Sequence, residues 1–209
     1  MIEVIPESYV SKLDLLKIFG RFAPLQVDLG CGDGSFLCAL AARFPEKDFL
    51  GIERVAARVT KTARKAAEIE NARVLHAETS YAVRYLLPEA SVEAFYLFFP
   101  DPWPKRRHHR RRLFNKDFLE SVFCALKPDG VLRVATDHLD YFRQIERCAA
   151  EKVKEGSFKL DGFKTSSFAM FESDRSSDAQ FPPTKFEKKF RAQGIPIYRL
   201  TLRKISPVT

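Results

Sequence analysis

Short apolar segments alternate with longer amphipathic ones over most of the chain. The apolar segments are bounded by Gly, Pro or charged residues, which is typical of strands, and the segments between them have helical spacing. The pattern predicts strands at 25–29, 49–52, 73–76, 94–99 and 131–135. It predicts helices at 12–19, 35–44, 54–70, 82–87, 116–126 and 139–154. This alternation favours an α/β domain with a mostly parallel sheet and helices on both faces.

The alternation of strand and helix patterns stops after residue 155. Two further strands are predicted at 158–160 and 197–202, and a polar stretch with Ser, Asp and two prolines lies between them at 172–183. This stretch is too long for a simple turn, and its length is typical of a functional or mobile loop. Without repeats or an interdomain linker, we expect a single domain over 1–209, with a lead-in at 1–24, a core at 25–155 and a C-terminal part at 156–209.

The charge of the chain is concentrated in one place. The 209 residues have a formal net charge of +8, and the isoelectric point is near 9.4. The internal run 105–112 supplies six of those charges, since it contains six Lys or Arg residues and two His. A chain that is nearly neutral outside one run has an electrostatic footprint that fits a polyanionic partner.

Other classes of protein are disfavoured by the composition. The four cysteines have no Cys-x-x-Cys spacing, and three of them lie in apolar or helical segments. This pattern is typical of buried free thiols in a protein of a reducing compartment. The start of the chain has no basic leader, and no apolar run is long enough for a membrane span. We therefore expect a cytoplasmic protein without a membrane partner. No His, Cys, Asp or Glu grouping has metal-ligand spacing, so we expect no metal.

An acidic, proline-rich turn comes directly before the basic run. Residues 98–104 read Phe-Phe-Pro-Asp-Pro-Trp-Pro, which places Asp101 at the end of a predicted strand. Prolines restrict the backbone around them, and this suits a carboxylate that has to be aimed. A cationic run suits phosphates, so the two features together indicate an enzyme that acts on nucleic acid. Trp103 either stacks on a base or packs against its prolines.

A glycine turn follows the first strand of the predicted core. Gly30, Gly32 and Gly34 lie between a strand and a helix, where glycines allow a tight turn and close approach to a ligand. The dinucleotide-binding fingerprint needs a glycine where this chain has Ser35. Asp28 and the acid at position 33 would repel a pyrophosphate and attract a cationic ligand. A nicotinamide-dependent reductase is therefore the least favoured reading.

Acidic residues lie at the carboxyl ends of five successive predicted strands. Parallel strands present ligands at their carboxyl ends, so the five acids predict one acid-rimmed pocket. Glu53, about twenty residues beyond the glycine turn, has the position of an acid that binds a ribose diol. The five residues are Asp28, Glu53, Glu78, Asp101 and Asp137.

These motifs together resemble the bacterial tRNA (guanine-N7)-methyltransferases. The resemblance rests on Asp-Leu-Gly-Cys-Gly-Asp-Gly at 28–34, Gly-Ile-Glu at 51–53, the Pro-Asp-Pro-Trp turn with its basic run, and Thr-Asp at 136–137. It continues with Thr-Lys-Phe-Glu at 184–187 and Gly-x-Pro-Ile-Tyr-Arg at 194–199, so it covers nearly the whole chain. The glycine turn alone is typical of any class I methyltransferase, whereas the Pro-Asp-Pro-Trp turn is far more specific.

The resemblance implies a fold, a reaction and a set of site residues. The fold is a single Rossmann-like class I methyltransferase domain, with a mostly parallel seven-stranded sheet and an antiparallel C-terminal strand. The reaction is methyl transfer from S-adenosylmethionine to the 7-nitrogen of a guanine in tRNA, in the variable loop. The implied cofactor-binding residues are Asp28, Gly30, Gly32, Gly34, Glu53, Glu78 and Asp101, and Asp101 is also the implied catalytic acid. The implied substrate-binding residues are Lys105, Arg107, His108, His109, Arg110, Arg111, Arg112, Asp137, Thr184, Lys185, Phe186 and Glu187.

Other functions stay open at this point. The nearest alternative is a class I methyltransferase that acts on another RNA or on a protein. A non-catalytic RNA-binding module with a vestigial cofactor fold is a different class, and failure to bind S-adenosylmethionine would favour it. A monomer and a homodimer fit the sequence equally well.

Overall fold

The computed structural model describes residues 2–166 and 181–205. These residues form one eight-stranded sheet with the order β1-β4-β3-β2-β5-β6-β8-β7. All pairs from β1 to β6 are parallel, and β8 is antiparallel to both β6 and β7. The strands are β1 Glu3–Val4, β2 Leu25–Leu29, β3 Asp48–Glu53, β4 Ala72–His76, β5 Val92–Phe98, β6 Leu126–Thr136, β7 Phe158–Ser166 and β8 Ile197–Lys204.

Helices connect the parallel strands. The α-helices are α1 Leu15–Phe19, α2 Ser35–Arg43, α3 Ala56–Lys65, α4 Thr79–Tyr81, α5 Lys116–Ala125, α6 Leu139–Lys154 and α7 Lys185–Ala192. A π-helical turn, Ala82–Leu86, continues α4, and a 3-10 helix, Arg106–Arg111, precedes α5. Within the described residues, no helix is long and apolar enough to cross a membrane.

The predicted α/β class, the mostly parallel sheet and the antiparallel C-terminal strand are confirmed. The predicted count of seven strands is one short, because Glu3 and Val4 pair with β4 and add an edge strand. A two-residue strand is too short to show alternation. The predicted helix 54–70 is shorter in the structure, since α3 ends at Lys65. Residues 172–180 of the predicted loop lie outside the described residues.

Apolar layers pack on both faces of the sheet and hold the strands in place. All five residues of β2 are buried, as expected for a central strand of a parallel sheet with both faces covered. Residues of α2 pack on one face, and residues of α5 and α6 pack on the other. The carboxyl ends of the parallel strands therefore converge on one edge, where the functional side chains are found.

Candidate functional site

A cavity of about 890 Å³ lies at the carboxyl ends of the central strands. Its volume is within the range of small-molecule sites, roughly 300–1,000 Å³. It brings together four of the five predicted strand-end acids, the glycine turn, part of the basic segment and the start of α7. The four acids that line it are Asp28, Glu53, Glu78 and Asp101.

Asp28 is one of the buried acids of the cavity, with 5% of its surface exposed. Burial, and next the negative charge of Glu53, raise the pKa of Asp28 to about 7. Within the described residues, neither a cation nor a hydrogen-bond donor offsets this increase. A cationic group of a ligand would stabilise the ionised form of this buried carboxylate.

Glu53 ends β3 and fixes the glycine turn. It is 3% exposed, and its Oε2 accepts a hydrogen bond from the backbone N–H of Gly32 at 3.0 Å. Its Oε1 accepts from the N–H of Val55 at 2.9 Å. A carboxylate has about four lone-pair positions, so both oxygens can accept further hydrogen bonds from ligand hydroxyls.

The glycine turn requires glycine for two different reasons. Gly34 has a φ of 72°, and a Cβ there would lie 2.5 Å from Cγ2 of Thr62. Gly30 has a φ of 75°, but a Cβ there would meet nothing within 4 Å. The turn is therefore packed tightly against α3 at Gly34, whereas its backbone borders open space at Gly30.

Asp33 links the glycine turn to two helices. Its Oδ2 accepts hydrogen bonds from Nζ of Lys65 in α3 at 3.0 Å and from Nζ of Lys185 in α7. Burial by itself raises the pKa of Asp33, but hydrogen bonds from Lys185, Lys65 and Ser35 outweigh it and hold the pKa well below its usual range. Asp33 is therefore a stable anion between two lysines.

Glu78 follows β4 and caps the helix that comes next. Its Oε2 accepts from the N–H of Tyr81 at 2.7 Å and from the hydroxyl of Ser80 at 2.8 Å. Such a cap satisfies N–H groups at the helix start that have no partner within the helix. Glu78 also lines the cavity.

Asp101 lies at the rim of the cavity in a strained segment. Phe99 and Trp103, on either side of it, have φ values of 54° and 42°, in the left-handed region that large side chains rarely adopt. The Asp101 side chain is 68% exposed, and its Oδ2 lies 3.3 Å from Nη2 of Arg54. Strain of this kind clusters at functional sites, where the surrounding structure holds it in place.

The basic segment forms the 3-10 helix beyond Asp101. Lys105 is its N-cap and is exposed, as are Arg107, Arg110 and Arg111. The guanidinium of Arg111 lies over the Trp103 ring, 5.0 Å from its centroid, and His108 makes an edge contact with that ring. The Trp103 ring therefore packs against the basic segment as well as lining the cavity.

Two residues of the basic run contact the body of the protein. Arg112 is 3% exposed and donates to the Pro102 carbonyl at 2.8 Å, to Gln144 at 2.9 Å and to Asp140 at 2.6 Å. Nε2 of His109 is buried without a hydrogen bond and lies 3.7 Å from Oδ2 of Asp140. These contacts fasten the segment to α6, and Arg112 also lines the cavity, so both residues stay predicted substrate-binding residues.

Helix α7 supplies the C-terminal part of the site. Thr184 is its N-cap, lines the cavity and accepts from the N–H of Glu187 at 3.0 Å. Phe186 is 54% exposed, lines the cavity and lies 6.0 Å from the Phe99 ring.

Two of the predicted substrate-binding acids are placed away from the cavity wall. The side chain of Glu187 is buried and forms ion pairs with Arg191 and with Arg199, the latter at 2.7 Å. Glu187 and Asp137 are both absent from the described residues that line the cavity. Glu187 therefore secures α7, and Asp137 follows β6 without a cavity contact.

Sequence reasoning assigned no site role to Arg54 or Lys65, although both contact acids of the site. The available signal was the series of cations at intervals of three and four residues that begins at Arg54 and ends at Lys65. Among the described residues, no group of three or more His, Cys, Asp or Glu side chains is arranged to hold a metal ion.

The chain is similar to curated methyltransferases. A family model described as "Putative methyltransferase" matches residues 22–200. The tRNA (guanine-N(7)-)-methyltransferase of Cutibacterium acnes is 39% identical over 93% of this chain and 68% of its own length. That of Halorhodospira halophila is 36% identical over 95% and 82%. That of Thermotoga maritima is 35% identical over 92% of this chain, which spans 58% of the relative's length.

Solved structures show the same fold at low sequence identity. An antibiotic-related methyltransferase has a TM-score of 0.64 and 21% identity, with 96% of each chain covered. The 16S rRNA methyltransferase KamB has a TM-score of 0.65 and 15% identity, with 92% of this chain and 93% of that chain covered. Both neighbours support the class I methyltransferase architecture.

Proposed function

The chain belongs to the tRNA (guanine-N(7)-)-methyltransferase family, and from this membership we propose that it methylates the 7-nitrogen of a guanine in tRNA, with S-adenosylmethionine as the methyl donor. The observation that carries the proposal is the position of Asp101, on the rim between an acid-lined cavity and an exposed cationic segment. We further propose that the guanine lies in the variable loop, as in the sequence interpretation.

The cavity fits the proposed cofactor. Among the described residues no cation pairs with the buried Asp28 carboxylate, which suits the ammonium of the methionine part. Glu53 has free lone pairs for ribose hydroxyls, and Glu78 lines the wall after β4, where it suits the adenine. When bound, S-adenosylmethionine supplies an electrophilic methyl group on a sulfonium.

The protein does not need a base that prepares the acceptor. N7 of guanine is a hydrogen-bond acceptor with a free lone pair, so no side chain has to remove a proton before it reacts. The residues of the site must instead hold the guanine in line and stabilise the positive charge that develops on the purine. Asp101 is the carboxylate at the rim that can do so, and Arg54 orients it.

The RNA must present the guanine outside its stack. A base inside a helix cannot reach a cavity at the strand ends, so we propose that the guanine is splayed out. Lys105, Arg107, Arg110 and Arg111 then hold phosphates beside it. The Thr184 hydroxyl lines the cavity and can donate to the guanine edge.

The role of Asp101 has a direct test. Asp101→Ala should still bind S-adenosylmethionine, because Asp28 and Glu53 remain, but turnover at saturating cofactor should fall on the order of 100-fold. Calorimetric titration of the cofactor and single-turnover methyl transfer to unmodified tRNA measure the two quantities. Near-wild-type turnover with normal cofactor affinity would show that the assignment is wrong.

The alternative is methyl transfer to another RNA or to a protein. Labelled S-adenosylmethionine offered with total RNA or total protein, followed by digestion to nucleosides or amino acids, separates these acceptors. Label in 7-methylguanosine from the tRNA fraction supports the proposal, and label in amino acids or in another nucleoside contradicts it.

A further inference from the structure

Helix α3 carries a row of cations along one face. Arg54 comes just before the helix, and Arg58, Lys61 and Lys65 follow at intervals of four, three and four residues. Residues at such intervals lie on the same side of a helix. The ten residues of α3 include no acid, so nothing within the helix neutralises this row.

The contacts of this row show where it faces. Three of its members contact acids that line the cavity, which places the row along one side of the cavity mouth. The pairs are Arg54–Asp101 at 3.3 Å, Arg58–Glu53 at 3.8 Å and Lys65–Asp33 at 3.0 Å. Lys61 lies between Arg58 and Lys65 on the same face, is exposed and has no acidic partner among the described residues.

Helix α7 continues the same cationic surface. Lys185 shares Asp33 with Lys65, so α3 and α7 meet at that carboxylate. Lys188 and Lys189 lie one turn further along α7 and are exposed, and neither has an ion pair within residues 2–166 and 181–205.

We propose that α3 and α7 form a second phosphate-binding surface for tRNA, in addition to the segment 105–111. This inference rests on the proposed function. The residues of the surface that have no acidic partner in the described part of the chain are Lys61, Lys188 and Lys189.

A splayed-out guanine explains why two surfaces are needed. The nucleotides on both sides of the extruded base have to be held, or the base returns to its stack. The cavity mouth is bordered by Arg110 and Arg111 from one element and by Lys185 and Lys189 from another. Cations on two elements around the mouth therefore match phosphates on the two sides of one guanine.

The test is the charge reversal Lys61→Glu with Lys188→Glu. The double variant should bind unmodified tRNA about 10-fold or more weakly at 0.1 M salt, and the slope of log Kd against log salt should fall by about 2, since each phosphate contact contributes roughly 0.9. The Kd for S-adenosylmethionine and the midpoint of thermal unfolding should stay at wild-type values, which a loss of folding would not allow. The neutral variant Lys61→Gln with Lys188→Gln should give an intermediate tRNA affinity.

A matched control lies at the other edge of the sheet. Lys154 ends α6 and Lys159 is the second residue of β7, and both are exposed, so Lys154→Glu with Lys159→Glu changes the charge equally. This control should lose less than about threefold of its tRNA affinity. If the α3–α7 variant and the control behave alike while the wild type methylates tRNA, this inference fails and the proposed function stands. If the wild type itself neither binds nor methylates tRNA, both fail.

Discussion

Burial changes the pKa of individual acids in this protein, and Asp28 is the clearest example. The fold places its carboxylate inside a central strand, next to Glu53 and away from water. The sequence predicted an acid at this strand end but could not predict the shift of its pKa, because the shift depends on neighbours from β3. The environment of Asp28 therefore makes the site sensitive to pH.

The stability of the free protein should fall as the pH rises through the range in which Asp28 ionises. Its pKa is about 7 when folded and near 3.8 when unfolded, so the folded state binds the proton more tightly between these values. The fall attributable to this residue should be roughly 2–3 kcal/mol between pH 5 and 8. Urea unfolding of the wild type and of Asp28→Asn at several pH values isolates the contribution of Asp28 to the free energy of unfolding. A difference between the two proteins that does not vary with pH would contradict the assignment.

Two glycines of the turn allow strain and crowding to be measured separately. Gly34→Ala should lower the free energy of unfolding by roughly 2–4 kcal/mol, because the new Cβ meets Thr62 and the φ is positive. Gly30→Ala has a similar φ but no clash, so it should cost only about 1 kcal/mol. Equal losses for the two variants, measured by denaturant unfolding, would show that the contact with Thr62 relaxes freely.

At the scale of elements, sequence pattern predicted strands better than it predicted the connections between them. The ends of β2 were predicted to the residue, since Leu25, Val27 and Leu29 alternate with polar residues and the strand lies between a proline and a glycine. Helix α7 was missed although Thr184 is a good N-cap and Phe186 and Phe190 are four residues apart. The polar stretch before it concealed where the helix begins.

The basic segment is an element in which neighbouring residues have different tasks. Arg112→Ala should destabilise the protein by about 2–4 kcal/mol, because its buried guanidinium makes three hydrogen bonds. Arg110→Ala should change stability by less than about 0.5 kcal/mol but weaken tRNA binding, with a salt slope smaller by about 0.9.

Chemical unfolding and filter binding of both variants distinguish these roles. The sequence could not separate them, because only the packing of α6 decides which arginine is buried. A stability loss of the same size for both variants would contradict the division.

At the scale of the whole molecule, the sheet topology decides which residues meet. Parallel strands bring acids that are far apart in sequence to one edge, which is why the order of the strands predicted most of the cavity. What the sequence could not show is the contact between α3, α7 and the glycine turn at Asp33, since it depends on side chains separated by 152 residues.

The measurement that tests the central claim most directly is the position of the methyl group. Unmodified tRNA is incubated with the protein and labelled S-adenosylmethionine, and the product is then cleaved with aniline, which cuts the chain at 7-methylguanosine. We predict incorporation of label together with cleavage at a single guanine in the variable loop. Label without cleavage would place the methyl group on a different atom and contradict the proposed reaction, and no label despite cofactor binding would exclude tRNA as the acceptor.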